Sequence, residues 1–156
     1  MQGGDRYGDG YTVERRVARR GCEKPEMTEN KANRGPRGLI VVDHGSRRDA
    51  ANLTLERVTA ALKAKVGERY AAVEAAHMEL ASPSIADAVR ACHAAGARHL
   101  VVSLFFLAPG RHVTEDIPEL VAEAAGEHPG LTWELTPPLC ESEALCDALI
   151  DLTPEA

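Results

Sequence analysis

Short apolar runs alternate along the chain with longer segments in which apolar residues recur at helical spacing. The runs have the length of strands and are rich in valine, leucine and alanine, whereas the segments between them repeat close to every 3.6 residues. Strands are therefore predicted at residues 38–43, 70–76, 98–107 and 131–135. Helices are predicted at residues 49–65, 83–95, 119–127 and 141–151.

The alternation of strands and helices indicates an α/β fold built from βαβ units. Such units give a parallel sheet, and a four-stranded sheet in the flavodoxin-like order 2-1-3-4 with helices on both faces is predicted. The third run is almost continuously apolar, which is typical of a strand buried on both faces.

Three helix starts carry candidate capping residues. Ser82 followed by Pro83 is expected to begin the second helix, and Ser46 or Asp49 to cap the first. Asp116 precedes the third helix, where its carboxylate can either cap the helix or orient a neighbouring histidine. Of these two roles we expect the cap.

Charge is distributed unevenly along the 156 residues. Residues 1–37 carry nine lysines or arginines and six acidic residues, while residues 38–156 carry nine and eighteen. The first segment is poor in large apolar groups and is predicted to be a disordered N-terminal extension. The remainder is predicted to be a single domain, whose acidity argues against nucleic-acid binding. No apolar run is long enough to span a membrane, so no membrane partner is expected.

The N-terminal extension bears on the location of the protein. Its arginine-rich run at residues 13–20 resembles an organelle transit peptide, but six acidic residues are atypical of one, and no apolar core of a secretory signal is present. A cytoplasmic protein is expected, with a plastid protein as the alternative if residues 1–37 form a transit peptide. The four cysteines form no CxxC pair, and Cys140 and Cys146 do not have the spacing of a standard zinc site.

Three residues with metal-binding side chains follow predicted strands. His44 follows the first strand, Glu79 the second and His112 the third. Carboxyl ends of neighbouring parallel strands meet at one edge of a sheet, so these side chains are expected to converge there. Two imidazoles and one carboxylate suit Fe²⁺ or Co²⁺, and three protein ligands leave positions open for exchange. His77, two residues before Glu79, is a possible outer partner.

Each of these residues also has a structural explanation when taken alone. A histidine at a helix start is commonly solvated or caps the helix, and Glu79 is favourably placed at the positive end of a helix. The case for a site therefore rests on their convergence.

Three strings of residues resemble the sirohydrochlorin chelatases, the small class II chelatases that insert Co²⁺ or Fe²⁺ into a tetrapyrrole. The strings are VVDHGSRR, AHMELASPSI and FFLAPGRHVTEDIP, within about residues 38–140. The resemblance implies that His44 and His112 bind the metal and help to deprotonate the ring, and that Glu79 is the third ligand. It also implies ATP-independent insertion, with no prosthetic group, in siroheme or cobalamin biosynthesis.

The resemblance also bears on the substrate and on assembly. Sirohydrochlorin carries many carboxylates, which suit the strand-end residues Arg47, Arg48, Arg111 and Ser46 as binding groups. Longer members of the family contain two such domains in one chain, whereas this chain holds one and so resembles the short form that works as a homodimer. In a homodimer one domain offers one wall of the site and a symmetric partner offers the other. Plant members of that form carry a cysteine-rich tail with an iron–sulfur cluster; residues up to Ala156 include no cysteine-rich run, so a cluster is not expected.

Two other functions fit parts of the same pattern. A binding protein that stores or delivers a metal or tetrapyrrole has the same ligands without turnover. A histidine-dependent phosphoryl-transfer enzyme also places His-Gly at a strand end, but it generally needs an arginine just before the histidine. Asp43 occupies that position and disfavours phosphate.

Overall fold

Strands and helices alternate throughout the part of the chain that the computed structural model describes, residues 35–154. The strands are β1 (Arg37–Asp43), β2 (Ala72–His77), β3 (His99–Leu104) and β4 (Thr132–Pro138). The helices are α1 (Asp49–Val66), α2 (Ile85–Ala94), α3 (Ile117–Gly126) and α4 (Ala144–Asp151). Of the extension predicted for residues 1–37, all but the last three residues lie outside the described part, so the extension and the domain boundary stay predictions.

The four strands form one parallel sheet in the order β2-β1-β3-β4. This confirms the predicted fold class and strand order. The third strand is shorter than predicted, because the chain leaves the sheet after Leu104 and turns into a long loop. Phe105 and Phe106 therefore lie beyond the strand rather than in it.

Successive residues of β1 face opposite sides of the sheet, and each side has its own apolar layer. Ile40 and Val42 are fully buried on the side that also holds the apolar residues of α2 and α3. Leu39 lies in a smaller layer with Val73, Val101 and the end of α1. Helices thus cover both faces of the sheet, as the sequence predicts.

The register of the sheet determines which residues meet at its carboxyl edge. Asp43 at the end of β1 lies opposite His77 at the end of β2, and Val42 lies opposite Leu104 of β3. Backbone hydrogen bonding between β1 and β2 continues into the residues that follow the two strands. The Met78 N–H donates to the Asp43 carbonyl at 2.9 Å, and the Glu79 N–H donates to the His44 carbonyl at 3.1 Å.

The predicted cap of α2 is wrong by two residues. The helix begins after Ser84, whose hydroxyl accepts the Asp87 N–H at 3.2 Å while the Asp87 carboxylate accepts the Ser84 N–H at 3.0 Å. This reciprocal pair satisfies two N–H groups that the helix itself leaves free. Ser82 and Pro83 instead belong to the preceding loop, where the Pro83 carbonyl accepts the His77 N–H at 2.8 Å.

The predicted caps of α1 are wrong as well. Arg48 occupies the capping position, and no side chain there bonds the helix. The Ser46 hydroxyl accepts the Arg48 N–H at 3.1 Å, which stabilises the loop before the helix. Asp49 lies inside the first turn, where its charge is favourable.

The last helix differs from the other three in its burial. None of the residues of α4 is buried, and Leu149 and Ile150 are more than half exposed. Leu152, which follows the helix, is exposed as well. Within residues 35–154, no helix combines the length and the apolar character that crossing a membrane requires.

Candidate metal site

His44 has one ring nitrogen fixed by the backbone beside it. Its Nδ1 lies 3.1 Å from the Gly45 carbonyl oxygen, which can only accept a hydrogen bond. The proton of the neutral ring is therefore assigned to Nδ1, and Nε2 carries the lone pair. The side chain is 42% exposed, so a ligand can reach Nε2 from solvent.

Glu79 faces that nitrogen. Its Oε1 lies 3.1 Å from His44 Nε2, and the carboxylate is half exposed. A lone pair and a carboxylate oxygen repel each other at this distance unless a cation lies between them. Two ligands bound at about 2.0–2.2 Å to one tetrahedral ion are separated by roughly 3.2–3.6 Å. The gap between His44 and Glu79 is therefore suited to a proton or, after a small outward movement, to a metal ion.

His112 is held in a turn of π-helix that runs from His112 to Asp116 and leads into α3. The Ile117 N–H bonds the His112 carbonyl, five residues back, and such π turns occur frequently at functional sites. The Asp116 carboxylate accepts the His112 Nδ1–H at 2.7 Å, which leaves Nε2 free to bind an ion.

This hydrogen bond corrects the role expected for Asp116. The residue makes no side-chain cap to α3, because its backbone is already helical and continues the π turn. Its side chain instead lies on the same face as His112, four residues earlier. A carboxylate that accepts from one imidazole nitrogen fixes the tautomer and the orientation of the ring.

The two histidines lie against each other at the edge of the sheet. Their ring centroids are 4.9 Å apart and the ring planes are inclined at 74°. The structure thus brings together His44, Glu79 and His112, but within residues 35–154 no three His, Cys, Asp or Glu side chains are already arranged to hold a metal ion. Joint binding of one ion therefore requires some movement of these side chains.

The predicted substrate-binding residues do not all lie together. Arg47 and Ser46 line a cleft of about 320 Å³ on the α1 side of the site, together with Leu80. Arg48 is exposed at the start of α1. Arg111 is paired with acidic groups of its own turn, since its Nε lies 3.1 Å from Glu115 Oε2.

A second cleft, of about 390 Å³, opens on the α3 side. Glu79 and His112 line it together with Asp116, Glu119 and Glu123. The first cleft also contains the carboxylates of Asp49 and Glu56, so the metal-binding candidates lie between a cleft of mixed charge and a cleft lined by carboxylates.

Gly45 allows the close approach of His44 to Glu79. Its φ angle is +83°, which favours glycine, and a Cβ atom there would collide with the Glu79 carbonyl oxygen. Leu80, the residue after Glu79, also has a positive φ, of 65°, which is uncommon for a residue with a side chain.

Sequence reasoning missed two residues that fix the His44 loop. The Asp43 carboxylate accepts the Gly45 N–H at 2.9 Å, and the Asn52 side chain accepts from and donates to the backbone of Ser46, both at 2.9 Å. The Asp-x-Gly spacing, which is common where an Asp side chain bonds the backbone two residues on, was a usable signal for Asp43. The Asn52 contact spans six residues and has no such local signature.

Comparison with known proteins gives one family and several named relatives. The CbiX family model matches residues 38–156. A chloroplastic sirohydrochlorin ferrochelatase from Arabidopsis thaliana is 51% identical over 114 residues, which are 73% of this chain and 50% of the relative. A sirohydrochlorin cobaltochelatase from Methanococcus maripaludis is 34% identical over 92 residues, 59% of this chain and 62% of the relative.

A solved structure is similar as well. The sirohydrochlorin chelatase SirB from Bacillus subtilis subspecies spizizenii, in complex with cobalt, is 28% identical and superposes with a TM-score of 0.67. The match covers 74% of this chain and 49% of the SirB chain. The chain thus spans about half the length of both the Arabidopsis relative and SirB.

Substitution of Gly45 tests the packing that brings His44 and Glu79 together. Gly45→Ala is expected to lower the free energy of unfolding and to weaken Co²⁺ binding, because the new Cβ displaces the Glu79 backbone. Gly96→Ala is the matched control, since Gly96 also has a positive φ but nothing lies within 4 Å of a Cβ there. Its cost should be about 1–2 kcal/mol of backbone strain alone.

Urea unfolding and a Co²⁺ titration of the two variants measure both effects. The prediction is contradicted if Gly45→Ala and Gly96→Ala lower the free energy of unfolding equally and Gly45→Ala keeps its Co²⁺ affinity. The backbone would then relieve the collision with Glu79 without changing the site.

Proposed function

Because the chain belongs to the CbiX family, we propose that it inserts Fe²⁺ or Co²⁺ into sirohydrochlorin without ATP, in siroheme or cobalamin biosynthesis. The observation that carries this proposal is the meeting of His44 with both Glu79 and His112 at the carboxyl edge of the sheet. The relatives named as ferrochelatase and cobaltochelatase support the reaction type.

The chemistry of insertion accounts for the residue types. A free-base tetrapyrrole has two protonated inner nitrogens, so binding of one divalent ion releases two protons. Imidazole accepts protons near neutral pH, which suits His44 or His112 as the base. Three protein ligands hold the ion at the face of the ring yet leave positions open for the ring nitrogens, whereas a closed four-ligand site would oppose transfer. No prosthetic group is expected to take part, and this stays a prediction.

The ligand types do not select between the two metals. Imidazole and carboxylate bind both Fe²⁺ and Co²⁺. The Arabidopsis relative is named for iron, and both the Methanococcus relative and the SirB complex are associated with cobalt. We therefore propose both ions as substrates, and parallel assays with each would rank them.

We propose that the carboxylates of sirohydrochlorin bind on the α1 side, at Ser46, Arg47 and Arg48. Arg47 and Ser46 line the cleft on this side together with Leu80, the residue after Glu79. A guanidinium group pairs well with a carboxylate. Arg111 is a weaker candidate than the sequence suggested, because its guanidinium is already paired with Glu115.

A homodimer is proposed on two grounds. The site is open to solvent on one domain, so a second copy is needed to enclose a large flat ring. In addition, the exposed Leu149 and Ile150 of α4 and the following Leu152 leave an apolar surface for a second copy to cover. Sedimentation of the full chain tests this: a monomer at micromolar concentration would refute it.

Location depends on residues that the structure does not describe. A cytoplasmic protein stays a prediction, and the similarity to a chloroplastic enzyme supports the plastid alternative. Fractionation of the cells that make the protein distinguishes the two.

Substitution of either histidine tests the proposed reaction. His44→Ala and His112→Ala are each expected to lower the rate of metal insertion by about 100-fold or more, because each removes a ligand and a candidate base. Absorbance of sirohydrochlorin with Co²⁺ or Fe²⁺ follows insertion directly. His128→Ala is the control, since His128 stacks on His93 and touches neither proposed ligand in the contacts that the structure describes.

Full activity of either ligand variant would remove the assigned role. A stoichiometric complex of the unaltered protein with metal and ring, formed without repeated turnover, would favour the storage or delivery protein instead.

Removal of the arginines tests the substrate cleft. Arg47→Gln and Arg48→Gln are each expected to raise KM for sirohydrochlorin by about tenfold while changing kcat little, as loss of one charge-assisted hydrogen bond predicts. Arg90→Gln is the control, because Arg90 is an exposed residue of α2 that pairs with Asp87. An unchanged KM in both cleft variants would place the ring elsewhere.

A further inference from the structure

Two ionisable side chains lie directly behind the proposed metal ligands. Asp43 and His77 are opposite each other in the register of β1 and β2, and His77 Nδ1 lies 2.6 Å from Asp43 Oδ1. Because a carboxylate accepts and does not donate, the imidazole Nδ1–H is the donor in this short hydrogen bond. His77 has no exposed surface.

The same carboxylate oxygen also holds the turn that carries His44. Asp43 Oδ1 accepts the Gly45 N–H at 2.9 Å in addition to the His77 bond. One oxygen atom therefore joins the end of β2 to the loop after β1. Since Asp43 directly precedes His44 and His77 lies two residues before Glu79, this junction connects the chain segments of two proposed ligands.

His77 is a costly residue at this position. Its Nε2 is buried and has no hydrogen-bond partner among residues 35–154. Buried polar atoms in proteins are nearly always paired, and leaving one unpaired costs free energy. An aliphatic side chain of similar size would avoid that cost but would also remove the donor to Asp43, so apolar packing does not explain an imidazole here, whereas its bond to that carboxylate does.

We propose that Asp43 and His77 form a positioning pair that sets the separation between His44 Nε2 and the Glu79 carboxylate. This inference rests on the proposed function of the same site. A metal site must hold its ligands to within about 0.5 Å of their working geometry. The backbone hydrogen bonds from Met78 and Glu79 align the segments that follow β1 and β2. The hydrogen bonds of Asp43 to His77 and Gly45 join the same two segments through a side chain.

The variants that test this proposal differ in whether they keep the donor to Asp43. His77→Leu removes the donor and the unpaired nitrogen together, whereas His77→Asn keeps an amide N–H near the position of Nδ1. His99→Leu is the matched control, because His99 is also buried but begins β3 at the opposite edge of the sheet.

The readouts are the Kd for Co²⁺ alone and the visible absorption spectrum of bound Co²⁺, which reports the arrangement of its ligands. His77→Leu is expected to raise the Kd by about 10- to 100-fold, as loss of an outer partner typically does, and to change the spectrum. His77→Asn is expected to restore most of the affinity and the spectrum of the unaltered protein. His99→Leu should change neither property.

If folded His77→Leu binds Co²⁺ with unchanged affinity and an unchanged spectrum, the positioning role is overturned. This holds even if His44→Ala abolishes Co²⁺ binding, a result that would support the proposed function. Unchanged Co²⁺ binding in both His44→Ala and His112→Ala would instead overturn the proposed function. If His77→Leu does not fold, Asp43→Ala supplies the same test, since it leaves His77 in place. Retention of full affinity in that variant contradicts the proposal.

Discussion

The candidate site depends on backbone hydrogen bonds that join the residues after β1 to the residues after β2. The Met78 and Glu79 N–H groups donate to the carbonyls of Asp43 and His44, so the two segments leave the sheet side by side. Gly45 permits that approach because it has no Cβ to collide with Glu79. Parallel pairing is thus what places an imidazole against a carboxylate, and His112 reaches the same edge from β3 through a separate loop.

The electrostatics of the site follow from this arrangement. His44 Nε2 and the Glu79 carboxylate face each other across a distance that suits an intervening cation. Both histidines have Nδ1 engaged, His44 by a backbone carbonyl and His112 by Asp116, so both present Nε2 for binding. All three side chains are at least partly exposed, so the site is accessible from solvent. The surrounding domain is acidic, and Arg47 on the α1 side lies in a cleft that Asp49 and Glu56 also line.

Much of this architecture was predictable from the sequence. The apolar runs indicate the strands, and because the carboxyl ends of parallel strands meet at one edge of the sheet, His44, Glu79 and His112 are expected there. The family resemblance is confirmed by the CbiX match, while the roles of individual site residues stay predictions. What the sequence did not reveal depends on geometry beyond local pattern. The sequence allowed Asp116 either to cap α3 or to orient His112, and the choice between these roles depends on a π turn that residue spacing does not predict. The contact between Asp43 and His77 requires the exact register of two strands that are 34 residues apart in the chain.

X-ray absorption spectroscopy of the Co²⁺-loaded protein is the most direct test that one ion is bound by His44, Glu79 and His112 together. The account predicts nitrogen and oxygen neighbours only, at about 2.0–2.2 Å, with the outer-shell scattering of two imidazoles. The spectrum of His112→Ala should show one imidazole. A sulfur neighbour from Cys140 or Cys146, or the scattering of fewer than two imidazoles in the unaltered protein, would contradict the shared site.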